Sequence, residues 1–240
     1  MNFLVVENRI KEGFFQEFGP GELPSTLRKT GLVGGIVPEE NSLVMAWVYK
    51  ALGESIFPET YFILKSGESN GILVKEILSS FGNIKIDLDL VNTLKSKFSF
   101  NDIEDCNIDL SFLQFVSKPY LKSLKVVVLI LNEFTPELVD FLSEIKEVLF
   151  LGLSALSSSY DGIYSGVDLV KARDDYLIKN ILSLNEVELI KFCEKKKIDG
   201  IVIVMMVALM KLKFAKPQML YHDVVSGLVT KGYAGFVFKS

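Results

Sequence analysis

Carboxylate and hydroxyl side chains follow several apolar runs of the sequence that are typical of buried strands. Glu39, Glu68 and a serine-rich segment, residues 154–160, each come directly after such a run. In an open parallel sheet, ligands bind outside the carboxyl ends of the strands, so these side chains are placed where chemistry is expected. Carboxylates at such a place can ligate a hard cation or transfer a proton. A serine can act as a nucleophile if a base and oxyanion-stabilising donors lie beside it.

The histidine and cysteine content limits this chemistry. The chain has one histidine, His222, so one chain cannot supply a zinc or iron centre that needs two or three imidazoles. No Gly-x-Ser-x-Gly elbow is present, and we expect His222 to be a partly buried, hydrogen-bonded structural residue. Cys106 and Cys193 are far apart and form no Cys-x-x-Cys pair, which argues against a disulfide-stapled secreted module. Both are expected to be small buried apolar residues.

Composition predicts a well-packed globular protein of 240 residues, with 49% hydrophobic and 23% charged residues. The formal net charge of -4 argues against a nucleic-acid partner, which would require a basic surface. The most apolar stretch, residues 201–210, has half the length needed to span a bilayer and predicts a helix buried on all sides. We therefore expect a cytoplasmic protein without membrane contact. The lysine run 195–197 closes a predicted helix, where it complements the helix dipole in solvent.

Apolar runs alternate with helical patterns along most of the chain. The predicted strands are residues 34–37, 61–64, 84–86, 124–131, 148–151 and 233–238, with a further closing segment at 219–225. The predicted helices are residues 43–52 (capped by Ser42), 88–98, 137–145 (after Pro136), 167–182, 186–197 and 201–212. This alternation is typical of βαβ units and a mostly parallel sheet. The prediction is an α/β protein, a single three-layer domain over residues 1–240 whose central, mostly parallel sheet is flanked by helices.

Short segments in a fixed order carry a family resemblance. Residues 82–87 (Gly-Asn-Ile-Lys-Ile-Asp), 112–114 (Phe-Leu-Gln) and 231–235 (Lys-Gly-Tyr-Ala-Gly) are similar to three motifs of the Memo family, the B component of the AmmeMemoRadiSam system. Further segments that resemble that family are residues 12–16, 22–23, 36–41, 64–68, 103–111 and 154–160. The resemblance covers nearly the full chain and implies the fold of the class III extradiol (LigB-type) dioxygenases.

The resemblance also identifies where a family site would lie and how this chain departs from it. Glu39, Glu68 and Glu104 stand where the family has histidines, and Ser159 or Ser158 stands at the histidine of the serine-rich loop. Asp199 replaces the family's cysteine. Every imidazole and the thiol of the family site are therefore absent from these positions.

Three hypotheses on function follow from this departure. The first is a non-catalytic binding or scaffold protein, a pseudoenzyme that needs no cofactor. The second is a hydrolase or lyase in which Glu39, Glu68 and Asp199 converge on a hard divalent cation; unpaired, they would raise at least one carboxylate pKa by mutual repulsion. The third is an inactive subunit that pairs with an active homologue. By resemblance, the partners would be AMMECR1-like and radical SAM proteins.

Overall fold

A ten-stranded sheet forms the centre of the described chain, which in this computed structural model comprises residues 3–19, 31–79, 81–160 and 163–240. Its strands are β1 (Leu32–Val37), β2 (Thr60–Ser66), β3 (Gly71–Leu73), β4 (Lys85–Ile86), β5 (Asn101–Ile103), β6 (Lys125–Leu131), β7 (Val148–Leu153), β8 (Ser157–Ser159), β9 (Lys216–Val225) and β10 (Thr230–Lys239). The α-helices are α1 (Phe3–Phe18), α2 (Ser42–Gly53), α3 (Leu88–Lys97), α4 (Ser111–Val116), α5 (Pro136–Glu144), α6 (Ile163–Leu182), α7 (Glu186–Lys196) and α8 (Ile201–Leu212).

Four parallel strands, in the order β6, β2, β7 and β1, make the middle of the sheet. Ile63 of β2 is paired with Val128 of β6 on one side and with Leu151 of β7 on the other. These strands are almost entirely buried, as expected of parallel strands covered on both faces. Antiparallel β10 extends the sheet beyond β1, and β8 and β9 pair with β10. The predicted α/β architecture is confirmed.

Helices α2 and α8 cover opposite faces of β1, and two adjacent glycines let them approach. A Cβ at Gly34 would lie 3.0 Å from the Sδ of Met210 on α8, whereas one at Gly35 would lie 3.5 Å from Val48 on α2. Successive residues of a strand point to opposite faces, so the two helices lie on either side of the sheet. This arrangement gives the three layers that the sequence predicts.

Helix α8 is the buried helix that the apolar run predicts. Every residue from 202 to 210 is buried, so the helix has no exposed face along this stretch. None of the helices in the described part of the chain is long and apolar enough to cross a membrane. The continuous apolar pattern therefore reflects burial on all sides.

The predicted strands and helices are present, with differences of a few residues at their ends. Four further elements, α1, α4, β3 and β5, are not among the predicted ones, and β8 lies in a segment predicted as a loop. The family segment at residues 22–23 lies outside the described residues.

The cap of α2 is Asn41, and the prediction of Ser42 in this role is wrong. The Asn41 side chain accepts a hydrogen bond from the backbone N–H of Val44 at 3.1 Å, while its Nδ2 donates to Asp223 at 2.8 Å. Asn41 has a φ of 74°, in the left-handed region that asparagine tolerates better than most residues. Ser42 is already the first helical residue.

Replacing the cap should therefore destabilise the protein. Asn41→Ala should lower the free energy of unfolding by about 1–2 kcal/mol, because it removes the cap and places alanine at a positive φ. Ser42→Ala, the matched control, should change it by less than about 0.5 kcal/mol. Urea denaturation of both variants measures the difference; an equal loss in both would contradict the assignment of the cap.

Candidate functional site

A cleft of about 450 Å³ lies at the carboxyl ends of β1, β2 and β7, where ligands bind in parallel α/β sheets. We call it the carboxyl-edge cleft. Its lining residues come from the strand ends and the loops that follow them, from α6, from the α7–α8 turn and from β10: Glu39, Ser66, residues 153–160, Arg173, residues 196–199 and Lys231. Chain segments distant in sequence thus meet here, as the sequence analysis expects.

The cleft brings together some of the predicted site residues and leaves out others. Glu39, Ser158, Ser159 and Asp199 line it, and Ser159 is buried within β8. Glu68 is exposed and lies outside the lining. The expected convergence of Glu39, Glu68 and Asp199 is therefore reduced to two carboxylates in one cleft.

Glu104 belongs to a different cavity. It lines a pocket of about 600 Å³ beside Cys106, and its carboxylate pairs with the ammonium group of Lys75. Both side chains of this pair are more than half exposed. Glu104 is thus a paired surface residue, separate from the carboxyl-edge cleft.

Glu39 has a cationic partner supplied by the chain itself. Its Oε1 accepts a hydrogen bond from Nζ of Lys65, and the same ammonium group donates to the carbonyl oxygen of Asn107 at 3.0 Å. The carboxylate is therefore neutralised by a side chain of β2 and is not one of the unpaired acids that the repulsion hypothesis requires. A cation that bound Glu39 would have to displace Lys65 from this pair.

The described residues contain no group of three or more His, Cys, Asp or Glu side chains arranged to hold a metal ion. The two carboxylates in the cleft, Glu39 and Asp199, are fewer oxygen ligands than the six to eight that Ca²⁺ takes. The geometry therefore gives no specific support to a carboxylate-bound cation.

A buried carboxylate joins the serine-rich segment to the only histidine. Asp174 of α6 is fully buried; its Oδ1 accepts a hydrogen bond from Oγ of Ser157 at 2.6 Å, and its Oδ2 lies 2.8 Å from Nε2 of His222. A catalytic serine needs the imidazole next to its own hydroxyl. Here the carboxylate stands between the two groups, so the histidine cannot take the proton of Ser157. The expectation that His222 is partly buried and hydrogen-bonded is confirmed.

The Asp174 carboxylate lies against the backbone of β10. A Cβ at Gly232 would be only 1.8 Å from Oδ2 of Asp174, so no side chain fits at this position while the carboxylate stays in place. The glycine thus allows the buried acid to reach both of its partners.

Adding a methyl group at Gly232 should break this arrangement. We expect Gly232→Ala to lower the free energy of unfolding by about 3 kcal/mol or more, because the displaced Asp174 loses partners while still buried. Gly227→Ala, where the nearest atom would be 3.5 Å away, should change it by less than about 0.5 kcal/mol. Thermal and urea unfolding provide the comparison; a tolerated Gly232→Ala would contradict the close packing.

A second ion pair holds Lys231, a residue of β10 that lines the cleft. The Glu40 carboxylate accepts hydrogen bonds from Nζ of Lys231 at 2.6 Å and from the hydroxyl of Tyr233 at 3.0 Å. These bonds, that of Lys231 first, lower the pKa of Glu40. Burial, followed by the hydrogen bond to Glu40, raises the pKa of Tyr233 to about 12.

The Glu40 ion pair should therefore weaken in acid. A lowered folded-state pKa means that the stabilisation is present above the pKa of the unfolded chain and is lost as pH falls through the folded-state value. Lys231→Met should raise the pKa of Glu40 towards its ordinary value, as followed by NMR titration of the carboxyl carbon. Lys195→Met removes a lysine that makes no contact with Glu40 in the described structure and should leave the pKa of Glu40 unchanged. An equal rise in both variants would contradict the role of Lys231.

The cations of the cleft wall are the feature that sequence reasoning missed. Arg173 of α6 and Lys196 and Lys197 at the end of α7 line the cleft, whereas the neighbouring Lys195 does not. The lysine run is exposed at the end of α7, as predicted, but two of its members also line the cleft. Its position immediately before the Asp199 turn, which the resemblance assigns to the cleft, was the available signal.

Comparison with known proteins gives no assignment. No protein-family model matches the sequence, and no curated protein matches it. The resemblance to the Memo family stays a prediction.

Proposed function

We propose that the protein is a non-catalytic binding protein of Memo-like architecture, which holds a small ligand in the carboxyl-edge cleft without converting it. The volume of about 450 Å³ falls within the range of small-molecule sites. The cleft also has the place expected of a ligand site in a parallel α/β sheet.

The single observation that carries this proposal is the arrangement around Asp174. Ser157 and His222 both hydrogen-bond the buried carboxylate, so neither is available to activate the other. An enzyme that used this serine would need the histidine between the hydroxyl and the acid. The hydrogen bonds favour a structural role for the three residues.

The thiols support the same conclusion. Burial, followed by the nearby charge of Asp199, raises the pKa of Cys193 to about 11, and burial raises that of Cys106. Both groups are therefore protonated at neutral pH, whereas a cysteine nucleophile reacts as the thiolate. Ser157 and the two cysteines are thus in unreactive surroundings, although Cys106 is only partly buried, contrary to the expectation from the sequence.

The Memo-like part of the proposal is supported by the mostly parallel sheet and by the order of the similar segments. Association with AMMECR1-like and radical SAM proteins, and a cytoplasmic location, enter the proposal through the resemblance alone.

A ligand screen followed by a turnover assay tests the proposal. A metabolite library, screened by thermal shift, should contain a compound that stabilises the protein, by about 2.7 kcal/mol at a hundredfold excess over its Kd. Prolonged incubation followed by mass spectrometry should return that compound unchanged.

Matched variants locate the binding. Ser158→Trp places a bulky group at an exposed residue of the cleft lining and should weaken binding, whereas Ser69→Trp, at an exposed residue outside the lining, should not. Conversion of the compound at a rate that Ser157→Ala or His222→Gln abolishes, in a folded variant, would overturn the proposal.

A further inference from the structure

Positive charge is concentrated in the lining of the carboxyl-edge cleft. Arg173, Lys196 and Lys197 line the cleft, and none of them takes part in an ion pair between described residues. The other lysines near the cleft are neutralised, Lys65 by Glu39 and Lys231 by Glu40. The cleft therefore contains cations that this part of the chain does not itself compensate.

Arg173 is held in place by a hydrogen bond, but not all of its donors have an acceptor. Its Nη1 donates a hydrogen bond to the carbonyl oxygen of Ser158 at 2.8 Å, which fixes the guanidinium group at the cleft wall. Its Nε is buried and has no hydrogen-bond partner among the described residues. A buried donor without an acceptor is costly, so the arrangement favours a ligand that brings acceptor oxygens to this group.

The charge of the cleft contrasts with that of the whole protein. The chain carries a formal net charge of -4. In the lining, three cations make no ion pair with another described residue, whereas only one acid, Asp199, makes none. A concave surface lined by one sign of charge raises the local concentration of ligands with the opposite sign. The contrast indicates that the cleft is selective for anions.

We infer that the ligand of the carboxyl-edge cleft is a phosphorylated small molecule, whose phosphate is bound by Arg173, Lys196 and Lys197. This inference rests on the proposed function and specifies its ligand class. A guanidinium fork matches phosphate oxygens, while two lysines add charge without a fixed geometry. The exposed hydroxyl of Ser158 is a further donor on the same lining. The volume of about 450 Å³ suits a phosphate ester or a diphosphate better than a nucleic acid.

Calorimetric titration with pyrophosphate and with inorganic phosphate tests the inference on the full chain. We expect pyrophosphate to bind more tightly than phosphate, because it presents more charge to the three cations. Both affinities should fall as salt is added, since ions screen the attraction. Titration with a library of phosphate esters then shows which form is preferred. Tighter binding of an ester than of pyrophosphate indicates an esterified ligand, and weaker binding indicates a free anion.

The lysine run supplies a matched set of variants. Arg173→Gln, Lys196→Gln and Lys197→Asn should each weaken pyrophosphate binding about tenfold, because each removes a charge-assisted hydrogen bond. Lys195→Gln removes the same charge from the same run outside the lining and should leave the affinity within about twofold. Circular dichroism and the thermal midpoint without ligand show whether each variant is folded. If Arg173→Gln is not folded, the two lysine variants alone test the inference.

The outcomes separate this inference from the proposed function. Pyrophosphate binding that the lining variants leave unchanged, or that Lys195→Gln weakens equally, would overturn the inference. If neither anion binds while an uncharged compound is retained and Ser158→Trp displaces it, the ligand class is wrong and the binding function stands. If a phosphate ester binds and is cleaved, the ligand class stands and the non-catalytic function is wrong. If nothing binds, both are wrong.

Discussion

Contact between the central strands and helices on both of their faces is the constraint on which this architecture depends. Strand β1 lies between α2 and α8, and both helices approach closely because adjacent positions of the strand are glycines. Gly152 of β7 plays the same part for α8, since a Cβ there would lie 2.6 Å from Met206. Burial on both faces makes the strands continuously apolar, so polar side chains are confined to the strand ends.

This constraint explains where the cleft lies and what lines it. The chain leaves each parallel strand at the same edge of the sheet and turns into the next segment there. Helix α7 ends and α8 begins at this edge, which brings Lys196, Lys197 and Asp199 beside the strand ends. The cleft is thus a result of topology, and its chemical character depends on the side chains that occupy these turns.

Much of the fold could be predicted from the sequence because its strongest patterns are consequences of burial. The sequence of the buried helix α8 and the central parts of β2, β6 and β7 are continuously apolar, and residues such as Pro136 mark where a neighbouring helix begins. Helix α1 was also detectable, since Val6, Ile10 and Phe14 recur at intervals of four and are all buried. Strand β8 was not detectable from the sequence, because its three serines give no apolar pattern. It is recognised as a strand by its backbone pairing with β10.

The candidate site was harder to predict than the fold because its properties depend on pairings between distant segments. The strand pattern and the family resemblance placed Glu39 and Asp199 in the cleft. They could not show that Lys65 neutralises Glu39 but not Asp199. Asp174 gave no signal, since one acid within a long amphipathic helix is ordinarily a solvent-exposed residue. Its burial depends on Gly232, 58 residues further along the chain, which leaves space for the carboxylate.

The Glu39–Lys65 ion pair also determines how the negative charge of Glu39 is neutralised. A metal ion that neutralises acids in a binding site is exchangeable, so the occupancy of the site varies with the supply of that ion in the surroundings. The ammonium group of Lys65 on β2 is part of the chain, so it is present in every molecule. The Glu39 carboxylate therefore keeps its partner whatever the concentration of metal ions in the medium.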